Sequence, residues 1–238
     1  MSAEVLEMMD LSVDLDESDV WSCLGSRDRV TPGLASEVSR GIALAEQLCA
    51  PRGLYTKLDV AEIGRKAVSL EGGLTLESSF ISHLFQGAKE AVFLVVTIGE
   101  ALEAKVTELF AEGESIDAVV LDAVASACIM EVFSHALTRV WQETTERGWV
   151  TGTCLRPGQS YWDITGQQDV FQVVAGERIG VELLDSSFMR PQKSQSAVVP
   201  IGPEMKVHGD PNESYCRYCQ ATRCPMRQEP QIELAQSE

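Results

Sequence analysis

Apolar residues return at helical spacing through the stretch that begins at Thr31, where Leu34, Val38, Ile42, Ala45 and Leu48 share one face. Thr31 can cap this helix, Pro32 suits its first turn, and Pro51 and Gly53 stop it. Upstream, residues 1–20 read as a flexible or edge segment. Asp16 or Ser18 then offers a cap before Val20, Trp21 and Leu24. The pattern alternates in "GLYTKLDVAEI", which predicts a strand, and "ESSFISHLFQG" predicts a short helix ending at Gly87. "EAVFLVVTIG" is a continuous β-branched run, the mark of a strand buried on both faces and ended by Gly99. An amphipathic helix follows and closes at Gly113. The longest helix then starts at Ser115, its predicted cap. Its small, apolar middle from Val119 to Val132 makes it the central core helix.

After Gly148 the texture changes. "WVTGTCLRPGQSYWDI" is extended and rich in turns, and "GQQDVFQVVAG" predicts a short helix. "RIGVELLDSSFMRPQKSQSAVVPIGP" predicts two strands around a loop at 185–194. The fold class is therefore α+β: a helical front half with a long central helix packed on a mixed or antiparallel sheet, and a Cys-rich C-terminal tail. The predicted organisation is an N-terminal segment at 1–30, a main domain at 31–210 and the tail at 211–238.

Charge narrows the partners. The net charge of −17 over 238 residues excludes a polyanion such as DNA or RNA, whose binders carry a basic face. Between Arg178 and Arg227 the balance reverses to near +2, leaving about −19 elsewhere. That segment suits a phosphate, a carboxylate or an acidic partner, or it is a solvated surface. No apolar run is long enough to span a membrane, and the acidic N-terminus does not read as a secretory signal, so the expected location is cytoplasmic.

The seven cysteines fall into two groups. Cys49 and Cys128 lie in apolar helical patterns, where a thiol acts as a small hydrophobe. Cys216, Cys219 and Cys224 crowd into "YCRYCQATRCPMRQ" with the spacing C-x2-C-x4-C, which reads as metal ligation in a cytosolic protein. Thiolates so spaced suit an iron–sulfur cluster or zinc; a tail that binds no metal is the remaining reading. A fourth ligand could come from His208, Cys154 or Asp210, none at a diagnostic spacing. Arg223 and Arg227 would offset the charge of a thiolate-bound centre.

Upstream, "CLRPGQSYWD" places Arg156, Gly158 and Tyr161 together. A guanidinium can fork onto a carboxylate, a glycine admits a ligand to the backbone, and a tyrosine offers a ring and a hydroxyl. The same residues also make an ordinary surface turn. The polar loop after Leu184 adds the Asp185 carboxylate, the hydroxyls of Ser186, Ser187, Ser194 and Ser196, and the positive charges of Arg190 and Lys193. No hydrolase constellation accompanies them, His83 and His135 read as structural, and there is no dinucleotide or phosphate loop.

Taken together, "RPGQSY" and "LLDSSFMRPQKSQSAVV" resemble the C-terminal reactivation domain of cobalamin-dependent methionine synthase. That family shows R-P-x-P-G-Y and then L-T-E-S-x-x-M-x-P-x-x-S-V-S-G. Arg156 and Tyr161 keep the first motif's offset, with Gln159 and Ser160 in place of its proline and glycine. Asp185, Ser186, Met189, Pro191, Ser194 and Ser196 follow the second motif. The front half, with its "VTIG" turn at Thr97–Gly99, is similar to free-standing members that end in clustered cysteines.

The resemblance implies S-adenosylmethionine binding by Arg156, Gly158, Tyr161, Asp185, Ser186, Ser194 and Ser196. It implies that Arg156 and Tyr161 line one crevice with the serine-rich turn. It also implies a partner, a corrinoid-binding protein or methyltransferase that carries the cobalamin, and a role in reductive methylation of its Co(II) state. An iron–sulfur centre on the tail would be the local electron carrier. The competing reading is an iron–sulfur electron-transfer module, or a zinc-stabilised binding module, without methyl-donor chemistry.

Overall fold

The computed structural model describes residues 4–8, 11–25, 31–159 and 161–209. Its centre is an antiparallel sheet of seven strands in the order β4-β3-β2-β5-β9-β6, with β1 (Leu6–Met8) also paired to β2. The strands are β2 (Arg52–Ile63), β3 (Ala67–Leu70), β4 (Thr75–Glu77), β5 (Glu90–Thr97), β6 (Val150–Thr151) and β9 (Ser194–Gly202). β5 sits in the middle: Leu94 lies opposite Tyr55 of β2 on one side and Ala197 of β9 on the other. A separate hairpin, β7 (Glu182–Leu183) and β8 (Met189–Arg190), stands just before β9. The sheet is wholly antiparallel, one of the two forms predicted.

Alternation along β5 explains why both faces are covered. Val92, Leu94 and Val96 enter a cluster with the helices α1 (Glu17–Cys23), α2 (Pro32–Leu48), α4 (Ala101–Glu112) and α5 (Ser115–Glu146). Ala91, Phe93 and Val95 enter a second cluster with α3 (Ser79–Leu84), α6 (Gln167–Phe171) and the connecting segments around Trp162 and Val181. A strand hydrophobic at every position is what a sheet packed on both sides requires.

The predicted helices are present, with local corrections. Thr31 Oγ1 accepts from Leu34 N, and Asp16 accepts from Ser18 N, so both caps form. Ser115 is the first helical residue of α5 rather than its cap; Glu114 takes that position without a side-chain cap bond. Gly53 belongs to β2, because the chain turns into the sheet directly after α2. The short strands β3 and β4, unforeseen in the sequence, pair at the edge of the sheet, where three or four residues carry too little periodicity to read. The expected loop at 185–194 is itself a hairpin turn followed by β8.

The N-terminal residues join the same core. Met8, Val20 and Trp21 are buried in the α5-side cluster. Farther along, Glu143 of α5 locks that helix to β2. It accepts from the Tyr55 hydroxyl at 3.1 Å, Lys57 Nζ at 3.1 Å and Arg139 Nε at 3.3 Å. Burial alone would lift its carboxyl, but the bonds from Lys57, Tyr55 and Arg139 prevail and hold it below the usual carboxylate range. Burial, with Glu143 beside it, pushes Tyr55 up to about 12. No described helix is long and apolar enough to cross a membrane.

Candidate functional site

An open cleft of about 860 Å³ lies between the first turns of α4 and the segment that carries the polar loop. One wall is Glu100, Glu103 and Thr107; the other includes Ser187, Phe188, Arg190 and Ser194, with Ile164 and Gln167 also lining it.

The second wall has its shape for local reasons. Leu184 N donates to Phe188 O at 2.9 Å and Ser187 N donates to Leu184 O at 2.8 Å, which closes a tight hairpin. Such a turn needs one left-handed residue, and Ser187 supplies it at φ 62°. Its hydroxyl, buried, accepts from Gln168 Nε2 at 3.2 Å. Lys193 anchors the far end. Its backbone N–H donates to Glu103 Oε1 at 2.5 Å, and its ammonium reaches Ser126 Oγ and Asp122 Oδ1 on α5, both at 2.8 Å. Ser194 Oγ donates to Thr97 Oγ1 at 3.0 Å, and Thr97 Oγ1 in turn accepts from Gly99 N at 3.1 Å. The "VTIG" turn and the start of β9 thus form one hydrogen-bonded floor. Beneath it Ser196 Oγ donates to Gln167 Oε1 at 2.5 Å.

The predicted residues divide around this cleft. Ser194 lines it, and Ser196 holds the lining residue Gln167. Asp185 and Ser186 sit exposed on the hairpin turn. Arg156, Gly158 and Tyr161 do not line it. The Arg156 guanidinium lies 4.0 Å over the Phe133 ring of α5, in the helix-side layer. Tyr161 packs in the opposite layer, its ring 4.7 Å from that of Phe80. Arg156 and Tyr161 thus pack against different rings, and neither lines this cleft. Leu155 bridges to Val198 at the sheet edge, and the chain beyond it sends Arg156 to one face and Tyr161 to the other. Gly158 comes nearest the cleft, since a Cβ there would sit 3.0 Å from Ile164 Cδ1; its φ of +88° suits glycine.

Sequence reasoning missed Glu103 and Gln167 and read Thr97 only as part of the "VTIG" turn; the partners of all three lie 29 to 97 residues away and leave no local pattern. Cys216, Cys219 and Cys224, and also Ser160, lie outside the described residues. Among the described residues no group of three or more His, Cys, Asp or Glu is arranged to hold a metal ion.

No protein-family model matches the sequence, and no curated protein matches it. A solved structure does match: the crystal structure of the MetH reactivation domain bound to AdoHcy, at 14% identity with a TM-score of 0.60, over 87% of this chain and 81% of that one. The two chains share a fold. The common architecture is the antiparallel sheet with a long central helix, as the "LLDSSFMRPQKSQSAVV" resemblance implied, and the segment that carries this motif is a wall of the cleft.

The cleft's chemistry is mixed. Arg190 is largely exposed, with Glu182 at 3.6 Å as a loose partner, so its guanidinium can meet an anion. Glu100 is exposed at the start of α4 and can face a cation. Phe188 is 62% exposed, a ring surface for a flat group to stack on.

Proposed function

We propose that this chain is an accessory protein for a corrinoid-dependent methyltransferase, supporting reductive methylation of a Co(II) corrinoid carried by a partner protein. S-adenosylmethionine is the methyl donor in this reading, and the cleft beside α4 is where it binds. The observation that carries the proposal is the coincidence of the family's second motif, from Asp185 to Ser196, with a wall of the open cleft in a fold like that of the MetH reactivation domain.

The donor set suits the ligand. S-adenosylmethionine has a carboxylate for Arg190, cationic ammonium and sulfonium groups for Glu100, and an adenine ring for Phe188. Glu103 and Lys193 hold the wall in place rather than meeting the ligand, since their polar groups are engaged with one another, Ser126 and Asp122. An iron–sulfur centre on Cys216, Cys219 and Cys224 would supply the single electron that Co(II) needs before methyl capture. The expected location is cytoplasmic.

The test is to mix the protein with a Co(II) corrinoid protein, a reductant and S-adenosylmethionine and to follow the visible spectrum. The expected result is growth of methyl-cobalt absorbance that is reduced in Arg190→Ala. No gain over the corrinoid protein alone refutes the proposal.

The placement of Arg156 and Tyr161 outside the cleft favours a second reading, an electron-transfer or zinc-stabilised binding module without methyl-donor chemistry. Calorimetric binding of S-adenosylmethionine that depends on Arg190 excludes it.

A further inference from the structure

Cys49 caps the end of α2, and Cys128 lies midway along α5. The two helices run side by side in the same direction. Arg40 meets Asp117 at 3.9 Å, and a Cβ on Gly41 would sit 3.6 Å from Val120 Cγ1 and 3.1 Å from Val124 Cγ2. About two turns farther along both helices come Cys49, after Gly41, and Cys128, after Val120. The register that joins the helices therefore sets the two thiols face to face, and both belong to the same core cluster.

Their side chains are hydrogen-bonded, with the Cys128 thiol donating to the Cys49 sulfur. That bond draws the Cys49 thiol below its ordinary value although burial opposes it. The same bond, together with burial, keeps Cys128 protonated. Access is equally unequal: Cys49 is half-buried and Cys128 fully buried. Cys49 has already left the helix, with ψ at 130°, so a rotamer change there can bring the sulfurs together. Among the described residues no third His, Cys, Asp or Glu joins them in a metal-binding group, which leaves thiol chemistry.

We propose that Cys49 and Cys128 form an oxidisable pair, in which a hydroperoxide oxidises Cys49 and Cys128 resolves it as an intramolecular disulfide. The Cys49 thiolate attacks a peroxide oxygen. The S–O bond forms, the O–O bond breaks, and the reduced oxygen leaves as water with the thiol proton. The Cys128 sulfur then attacks the Cys49 sulfur. The S–S bond forms, the S–O bond breaks, and the hydroxyl leaves as water with the Cys128 proton. Two thiols are oxidised and one hydrogen peroxide is reduced to two waters.

The bond would reach the cleft. Ala50, next after Cys49, donates its N–H to Ile98 O at 2.9 Å and lies against Gly99. The disulfide would tie this turn, which floors the cleft, to the central helix. Cys23 is the rival partner, close enough to Cys128 to act on its charge. Burial and the Asp19 carboxylate push the Cys23 thiol up, which disfavours it as the attacking group.

The experiment treats the reduced full chain with a small excess of hydrogen peroxide, blocks the remaining thiols by alkylation and maps every cysteine by mass spectrometry of the digest. Wild type, Cys23→Ser, Cys49→Ser and Cys128→Ala are compared, and far-UV circular dichroism confirms that each folds. A peptide pair joined through Cys49 and Cys128 is expected in wild type and Cys23→Ser, lost on treatment with dithiothreitol and absent from the other two variants. Cys128→Ala should leave Cys49 as a sulfenic acid that dimedone captures, and Cys49→Ser should leave Cys128 unoxidised. If Cys128→Ala does not fold, the wild-type map and Cys49→Ser decide. Cys128 joined to Cys23 overturns the pairing, and so do Cys49 and Cys128 both recovered as free thiols while the tail cysteines have oxidised. Dimedone capture at Cys128 in Cys49→Ser overturns the assignment of Cys49 as the attacking thiol. None of these readouts depends on S-adenosylmethionine or a corrinoid, so the outcome stands apart from the proposed function.

Discussion

Replacing Lys193 by Met tests whether the wall of the cleft is held from α5. The side chain is only 16% exposed, and its ammonium meets Asp122 and Ser126 at 2.8 Å each. Methionine keeps most of the apolar stem and removes the charge. Asp122 is 53% exposed, so after the change it is rehydrated rather than stranded. What is lost is one screened ion pair and one charged hydrogen bond, together about 1–2 kcal/mol. For a chain of this size that is a fall in melting temperature of about 2–8 °C.

The 190–194 wall loses its anchor to α5, and a ligand must then order it on binding. If that costs about 1 kcal/mol, affinity for the proposed ligand, S-adenosylmethionine, falls roughly fivefold. Thermal unfolding followed by circular dichroism gives the first number and calorimetry the second. A cycle with Asp122→Asn separates the ion pair from the stem's packing, because the two changes should be strongly non-additive. A Lys193→Met protein that melts within about 1 °C of wild type, with additive effects in the cycle, refutes the anchoring argument.

Glu143 sets a pH dependence. Its carboxyl is held low in the folded state by Lys57, Tyr55 and Arg139 against the cost of burial. Its contribution is therefore fully present above the unfolded value near about 4.3 and is lost as pH falls through the lower folded one. Urea titrations from pH 7 downward should show wild type losing stability more steeply in the acid range than Glu143→Gln; parallel curves refute this. At Ser187 the left-handed backbone costs a side chain about 1 kcal/mol, so Ser187→Gly should be more stable than Ser187→Ala by about that amount, although both lose the bond from Gln168. Equal chemical-denaturation midpoints would contradict the assigned turn. Gly87→Ala places a Cβ 2.0 Å from the backbone oxygen of Glu204 at a φ of +93°, and should cost about 2–4 kcal/mol or prevent soluble expression. A variant with an unchanged melting temperature contradicts that close approach.

The sequence by itself determined the elements whose physics is local. Thr31 and Asp16 cap the helices they precede because a side-chain oxygen two or three residues away finds an open backbone N–H. The unbroken apolar run of β5 announces burial on both faces, and α5 is legible from its length and small apolar middle. The polar stretch from Asp185 to Ser196 stood out as a candidate because it interrupts two apolar runs. Only the tertiary structure decided which of its groups share a cleft. Lys193 finds Asp122, Ser194 finds Thr97 and Ser196 finds Gln167 across gaps that carry no periodic signal. It also separated Arg156 from Tyr161, five positions apart in the chain and in opposite layers of the fold. Proximity along a chain fixes where a residue is attached. Which face of a sheet its side chain joins is settled by the packing of elements far away in sequence.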